Sequence, residues 1–486
     1  MGMTTIDYVV LVLYSAIVVL IGVWALRKTK TTAEYFAGGW KVPWWLAAIS
    51  HHMSGYSAFA FVAYAGVAWK YGFSIYTVWS VTIGIGLIVT AFTFAPRWAK
   101  LAKKAIMTPL EYLEQRYNVI ARIVLALSGI GVKFVDEGLK IYSLAVFLSV
   151  FMGIPLVWSV IIGGVIVLIY MTIGGILASL WTDFLQAIVQ FSITIITLFI
   201  ALQVVGGIGG LVTKAPEGFW QPLSGPYNPL WWFIFLIVVT LSYAGGTWGL
   251  AQRFISVGKP KEARRAALLS SILYFTYPLS FFIPMWATRI IYPSLDKPDY
   301  AYAIFCKDYL PKVAPGLLGL MAAAMFAATM SMVDSDLNAL AAVLTKDVYG
   351  RIRRGLSDKH LLNVGRIATF IFGLITIGVA LVAPQLGGAF QAMVKWYAGL
   401  LGPISIPLLF GLLYRGTSWR GALASWAGGF TVWAILNFGL HTPWEITTGC
   451  QLLTSFVIFF LEPLIVKKSV DEERRITDLF EVLRDP

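Results

Sequence analysis

The chain has 486 residues, of which 58% are hydrophobic and only 13% are charged, against about 25% charged residues in an ordinary soluble domain. This composition excludes a disordered, a nucleic-acid-binding and a typical water-soluble protein. In so apolar a chain, the net charge of +13 indicates basic residues that orient membrane spans rather than a surface that binds an anionic partner. Two cysteines, Cys306 and Cys450, are too few for a disulfide framework and have no metal-binding spacing.

Long apolar runs follow one another along most of the chain. Because a bilayer core takes about 20 apolar residues as helix, and lipid cannot satisfy unpaired backbone groups, these runs predict an all-α integral membrane protein. The predicted spans number about thirteen, at residues 5–26, 44–69, 73–96, 119–150, 155–175, 178–204, 230–254, 265–292, 316–347, 364–384, 388–413, 419–439 and 445–466.

The basic residues of the connections predict the orientation. With the N-terminus outside, the inner connections and the tail hold 27 Lys and Arg residues, whereas the outer connections hold six. Since basic residues concentrate on the cytoplasmic side, we expect a multi-pass protein of the plasma or inner cell membrane with a cytoplasmic C-terminus. The tail at 467–486 alternates charges and is predicted to be a solvated helix.

Glycines interrupt two of the predicted spans. The second span contains Gly55 and Gly66, and the seventh contains Gly245, Gly246 and Gly249. The two spans lie five apart and therefore run in opposite directions, as in two inverted five-helix repeats whose first helices are broken. Unwound backbone at mid-membrane frees carbonyls for a cation. The alternative interpretation is that these glycines serve close helix packing.

Several stretches, in chain order, carry a resemblance to a known family. Residues 174–186 read GGILASLWTDFLQ, and the other matching stretches are 34–39, Gln252 and Arg253 with 261–264, and 330–335 with 345–349. Together they resemble the sodium:solute symporter family, which includes sodium-coupled sugar, proline, pantothenate and sialic acid transporters. The resemblance extends over about residues 5–420.

The resemblance implies a leucine-transporter-type core of two inverted five-helix repeats, formed by spans two to eleven. The chain then divides into an N-terminal helix and cytoplasmic loop, a first repeat, an extracellular loop, a second repeat, two C-terminal helices and a cytoplasmic tail. Their expected limits are 1–43, 44–204, 205–229, 230–415, 416–466 and 467–486.

The resemblance also implies a sodium site between the broken second span and the ninth span. Its expected ligands are the carbonyls of Met53, Tyr56 and Ala328, the hydroxyl of Ser331, and the position of Met332. Relatives usually carry Ser or Thr at the last position, and a thioether is a poor ligand for a hard cation.

A second cation site is implied by those relatives that bind two sodium ions. It would use the carboxylate of Asp183 together with Ser331, Asp334 and Ser335. Two carboxylates facing each other in a low dielectric need a cation or a proton between them. The alternative is that Asp183 is partly wet near a helix end and that Asp334 only makes packing hydrogen bonds.

The fourth span carries charges at mid-membrane. The spacing predicts two i, i+4 pairs, Lys133 with Glu137 and Asp136 with Lys140, which would neutralise one another. The competing interpretation is that Lys133 binds a substrate anion, because sialic acid relatives use a basic residue at about this height.

Sugar-transporting relatives line their substrate pocket with polar side chains at positions that correspond to Gly55, Ala60, Trp79 and Thr240. Most of these cannot bind sugar hydroxyls here, so a carboxylate or amino-acid-like solute is favoured over a hexose. Tyr243 corresponds to an aromatic gate and precedes the break at Gly245, beside which the substrate is expected.

His51 and His52 leave proton coupling open, because histidine titrates near neutrality, although most membrane histidines are merely hydrogen-bonded. The sequence thus predicts a secondary transporter rather than an enzyme, with sodium as coupling ion, no other cofactor, and partners limited to a small-molecule substrate and the bilayer. Proton-coupled symport and, less favoured, a solute or ion channel are the alternatives.

Overall fold

The computed structural model describes residues 2–28, 37–55, 57–170, 176–246, 248–342, 344–345, 349–350, 353, 357–386 and 389–484. Regular structure within these ranges is helical. The first half contains α1 Thr5–Lys28, α2 Trp44–Met53, α3 Ala58–Tyr71, α4 Thr82–Phe92, α5 Ala95–Lys100, α6 Pro109–Arg116, α7 Val119–Met152, α8 Leu156–Tyr170, α9 Ile176–Val205 and α10 Gly207–Thr213.

The second half continues the helical array. It contains α11 Pro229–Leu241, α12 Gly249–Val257, α13 Pro260–Thr276, α14 Leu279–Ile291, α15 Ala301–Val313, α16 Leu317–Ala342, α17 Asp358–Val382, α18 Ala389–Ala392, α19 Ala398–Phe410, α20 Trp419–Ala434, α21 Trp444–Leu461 and α22 Val470–Arg484. A helix thus occupies at least part of each of the thirteen predicted runs.

Fewer helices than thirteen are long and apolar enough to cross a bilayer. By length and composition, five stretches of the described residues qualify: Leu180–Val205, Pro229–Gly246, Pro260–Ile291, Asn363–Leu386 and Trp444–Leu464. Three bent helix pairs also pass together, which gives up to eight when each pair is taken as one span. The all-α membrane architecture is therefore confirmed, whereas the count of thirteen spans stays a prediction.

Both predicted interruptions are present. Helix α2 ends at Met53, and α3 begins after Ser57, whose side chain accepts a hydrogen bond from the backbone of Phe59. The second break follows α11, where Gly245 has φ 122°, a conformation that favours glycine. Gly66, in contrast, lies inside the continuous helix α3, so it serves close packing and not a break.

The packing partner of Gly66 is Asp299, in the connection between α14 and α15. A Cβ atom at Gly66 would lie 1.9 Å from Oδ1 of Asp299. Burial at this position raises the pKa of Asp299 to about 6, and the nearby Lys70 ammonium opposes that rise. The carboxyl group therefore packs against α3 most favourably when it is protonated.

We expect Asp299 to make stability depend on pH. Its unperturbed pKa is 3.8, so the stabilisation is fully present below that pH and is lost as the pH rises through about 6. Thermal unfolding of the wild type between about pH 4 and pH 7 should show this loss, and Asp299→Asn should remove it. Asp296→Asn, in the exposed part of the same connection, is the matched control. If Asp299→Asn shows the same pH dependence of thermal stability as the wild type, then Asp299 is not its source.

The C-terminal helix α22 is docked, so the prediction of a solvated tail is wrong. Its apolar face is buried, at Ile476, Leu479, Phe480 and Leu483. A polar contact beside this face adds to the docking, since Arg475 donates to the carbonyl of Tyr117 at 2.6 Å. Apolar residues at i, i+3, i+4 and i+7 give the helix one packing face despite its alternating charges.

Candidate functional site

A cavity of about 90 Å³ lies between the two interrupted helices. It is lined from the first break by Ser54, Gly55 and Ala60, and from the second by Ser242 and Tyr243. The rest of the wall includes residues of α7, α12, α16 and the segment before α19, among them Lys133, Asp136, Lys140, Arg253, Met332, Asp336, Met393 and Tyr397. Broken backbone, hydroxyl groups and charged side chains therefore meet at one place.

Four of the residues predicted for substrate binding line this cavity, namely Gly55, Ala60, Lys133 and Tyr243. The Thr240 hydroxyl donates to the carbonyl of Leu236 in its own helix at 2.7 Å, and Gly245 forms the turn beside Ala251. Neither Thr240 nor Gly245 belongs to the described lining, so their role in substrate binding stays a prediction.

Two tyrosine hydroxyls satisfy carbonyls of the first break. Tyr274 donates to the carbonyl of His52 at 3.1 Å, and Tyr243 donates to that of Gly55 at 3.4 Å. A Cβ atom at Gly55 would lie 1.7 Å from the Tyr274 hydroxyl oxygen and 2.8 Å from the Tyr243 ring. The absence of a side chain at Gly55 is therefore what lets both tyrosines reach the break.

The charged residues of α7 form one network with α16. Nζ of Lys140 lies 3.0 Å from Asp136 and 2.7 Å from Glu137, so the predicted Asp136–Lys140 pair is present. Lys133 instead pairs with Asp136 at 3.3 Å and with Asp336 of α16, so the predicted Lys133–Glu137 pair is wrong.

Asp336 was missed because within-helix spacing cannot identify partners on another helix. The available signal was the presence of a carboxylate in the apolar ninth run, where a charge requires a partner. Lys133 is therefore already engaged by carboxylates where it faces the cavity.

The predicted first sodium site is only partly visible. Met53 is the last residue of α2, Ala328 is buried in α16, and Met332 faces the cavity. Tyr56 and the side chain of Ser331 lie outside the described residues. A hydrogen bond joins the start of α3 to α16, since the backbone N–H of Ala58 donates to the Thr329 hydroxyl at 3.3 Å. Coordination of sodium here stays a prediction.

The predicted second cation site contains a cation of the protein itself. Asp183 is fully buried, so it is not partly wet, and it accepts a hydrogen bond from the Ser50 hydroxyl at 2.6 Å. The guanidinium group of Arg253 lies 3.6 Å from the same carboxylate oxygen. The side chains of Asp334 and Ser335 lie outside the described residues, so their pairing with Asp183 stays a prediction.

Both histidines of the second span are buried beside the break. Nδ1 of His51 lies 3.0 Å from the Ser270 hydroxyl, and Nε2 lies 3.2 Å from the carbonyl of Tyr243. His52 packs edge to face on Tyr274, with 4.5 Å between the ring centroids. The contacts of His51 favour the hydrogen-bonded role over proton coupling.

The sequence is similar to that of known transporters. The profile of the sodium:solute symporter family matches residues 35–429. The chain is 27% identical to the sodium/glucose cotransporter of Vibrio parahaemolyticus, over 98% of this chain and 93% of that protein. It is 26% identical to human sodium-coupled monocarboxylate transporter 1, over 90% of this chain and 74% of that protein.

The fold is also that of a solved transporter. The structure of a Na+-coupled sialic acid symporter in a substrate-bound outward-open state superposes with a TM-score of 0.82 at 21% identity, covering 96% of this chain and 98% of that one. The leucine-transporter-type architecture with two broken helices is thus confirmed. Because the family profile covers most of the sequence, this chain belongs to the sodium:solute symporter family.

Proposed function

We propose that the protein is a sodium-coupled symporter of a small organic solute that carries a carboxylate, such as an amino acid or a monocarboxylate. Membership of the family supports sodium as coupling ion. The observation that carries the substrate class is Lys133, a cation in the wall of a cavity between the two breaks. The same wall offers Tyr243 and Ser242 as hydroxyl partners for carboxylate oxygens.

The lining supports a carboxylate over a hexose. Gly55 and Ala60 have no side-chain group that hydrogen-bonds a sugar, and Met332 and Met393 add apolar surface. The named relatives transport glucose, monocarboxylates or sialic acid, so their names alone do not select one class. A carboxylate entering the cavity competes with Asp336 for Lys133, which is the electrostatic step of binding that we infer.

The proposed transport cycle follows from the broken helices. A sodium ion held between the first break and α16 would stabilise the form that accepts substrate, since a ligand favours the conformation to which it binds more tightly. The solute then binds beside both breaks, and the core rocks to release ion and solute on the other side. We propose an outer N-terminus and a cytoplasmic C-terminus, from the distribution of basic residues.

The test is a thermal-shift screen of purified protein with sodium, lithium, potassium or choline as the only cation. Amino acids, monocarboxylates, sialic acid and glucose are the probes, because a ligand stabilises by RT ln(1 + [L]/Kd). A carboxylate should raise the melting temperature in sodium and much less in choline. Equal responses in all four cations would reject sodium coupling, and a response to glucose alone would reject the substrate class.

Ser331→Ala tests the first sodium site in the same assay. We expect a sodium concentration for half-maximal stabilisation about tenfold higher or more, the loss of one charge-assisted contact being worth roughly 1.5–3 kcal/mol. Ser15→Ala is the matched control, because the Ser15 hydroxyl only donates to the carbonyl of Leu11 in its own helix. A sodium titration unchanged in Ser331→Ala would remove this residue from the site.

A further inference from the structure

Glu137 is a buried acid with one oxygen left unpaired. Its side chain has no exposed surface, and Oε1 lies 2.7 Å from Nζ of Lys140. The other oxygen, Oε2, is buried as well and has no hydrogen-bond partner among the described residues. An ionised carboxylate in this position would carry the desolvation cost of an unsatisfied charged oxygen, which exceeds that of a neutral group.

The neighbouring charges add to that cost. Asp136, Glu137 and Asp336 each place a carboxylate oxygen within 4.8 Å of the others. Lys133 and Lys140 provide two ammonium groups, so three ionised carboxylates would leave a net charge of −1 inside the protein. Three further tyrosines on the wall, Tyr64, Tyr243 and Tyr397, are phenols that are neutral at ordinary pH. The charge of Arg253, which also lines the cavity, is balanced by Asp183, whose carboxylate lies 3.6 Å away. One further positive charge is needed for neutrality.

A proton meets this need with fewer ligands than a metal ion does. The two ammonium groups already occupy Glu137 Oε1 and the Asp136 and Asp336 oxygens that face them. A hard metal cation requires about six oxygen ligands, whereas a proton requires one oxygen and one acceptor. A proton on Oε2 also turns the unpaired acceptor into a donor, with two carboxylates close by.

We infer that Glu137 holds a proton at neutral pH and is a neutral carboxylic acid beside Lys140, which lines the cavity. The proton comes from solvent, and its loss adds a negative charge beside Lys140. The ammonium group of Lys140 then interacts more strongly with Glu137. As a result, the carboxylates of Asp136 and Asp336 are neutralised mainly by Lys133. On the proposed function, this makes Lys133 less available to a substrate carboxylate, so substrate affinity falls at alkaline pH.

The first experiment measures the proton itself, on full-length protein in detergent without sodium or substrate. Infrared spectroscopy at neutral pH should show the carbonyl stretch of a protonated, buried carboxyl group. Glu137→Gln should lose that component, because the amide keeps the neutral shape and removes the acid. Glu217→Gln, on an exposed loop, is the control and should leave it unchanged. A wild type without the band, or a band that survives in Glu137→Gln, overturns the inference.

Asp336→Asn covers the case in which Glu137→Gln does not fold. Removal of one neighbouring carboxylate leaves the two lysines balanced by two ionised carboxylates, so the protonated band should disappear although Glu137 is still present. Persistence of the band in Asp336→Asn overturns the inference. Because neither measurement uses substrate, a failure of the transport proposal leaves it intact, and the reverse also holds.

A second readout is the pH dependence of substrate-induced stabilisation. The wild type should lose a carboxylate-induced thermal shift as the pH rises above neutral, whereas Glu137→Gln should keep it. A merely structural role for Glu137 would lower stability at every pH and leave the slope unchanged, which is the outcome that counts against the proton.

Discussion

Gly55→Ala is expected to abolish transport and to destabilise the protein strongly. The added methyl group would lie 1.7 Å from the hydroxyl oxygen of Tyr274, a distance that no relaxed structure tolerates. Either the tyrosine leaves the carbonyl of His52 or the break shifts away from the cavity. Overpacking of this kind costs about 1–3 kcal/mol, with the lost hydrogen bond adding about 1 kcal/mol. Uptake in proteoliposomes and thermal unfolding measure both effects.

The double variant Gly55→Ala with Tyr274→Phe separates the clash from the loss of glycine. Removal of the hydroxyl makes room for the methyl group, so part of the stability should return. Gly131→Ala, in α7, is the control, because a Cβ atom there has nothing within 4 Å. If Gly55→Ala transports normally, or if Gly131→Ala is equally damaging, then the close approach of the tyrosines is not what requires glycine.

Lys133→Met is the second substitution with a large expected effect. It removes an ammonium group that contacts both Asp336 and Asp136 and leaves those carboxylates in a nearly buried site with one lysine. Breaking a buried pair from one side typically costs about 3–5 kcal/mol, because the remaining charge is uncompensated. In the thermal-shift assay, Lys133→Met should therefore have a lower melting temperature than the wild type and should no longer be stabilised by carboxylates.

The combination of Lys133→Met with Asp336→Asn distinguishes the structural role of the lysine from its role toward substrate. Most of the stability should return, since charge is removed from both sides, while the thermal shift by carboxylates should stay absent. Lys259→Met is the control, because its exposed pair with Glu262 is worth at most about 1 kcal/mol. A double variant that binds carboxylates like the wild type would remove Lys133 from the substrate site.

The positions of the breaks could be predicted from sequence, and their packing only in part. Gly55 and Gly245 were identified because glycine in an apolar run permits unusual backbone, and both lie at an interruption. Gly66 gave the same signal, yet it lies in an intact helix against Asp299. Glycine indicates either a special dihedral angle or a close neighbour, and sequence alone does not separate the two.

The site shows a similar limit. Gly55, Ala60, Lys133 and Tyr243 were predicted on three different spans and line one cavity. The pairing of Lys133 with Asp336 was not predicted, because pairs across helices depend on rotation and crossing angle rather than on spacing.

The partner of Asp183 was not predicted either. Asp183 pairs with Arg253 on another helix, and sequence spacing does not reveal such a contact. For Lys133 and Asp183, the sequence thus indicated a charged residue in a predicted span but not the residue on another helix that contacts it.

The docked helix α22 has a mechanical consequence for the proposed transport cycle. Lys100 donates to the carbonyl of Leu483 at 2.9 Å, and the backbone of Trp419 donates to Glu472 at 2.9 Å, so one short helix fastens segments that are more than 300 residues apart in the chain. In that cycle these segments would move together as one body, or α22 would detach first. A partner that binds α22 would then favour one orientation of the cavity in the proposed cycle over the other.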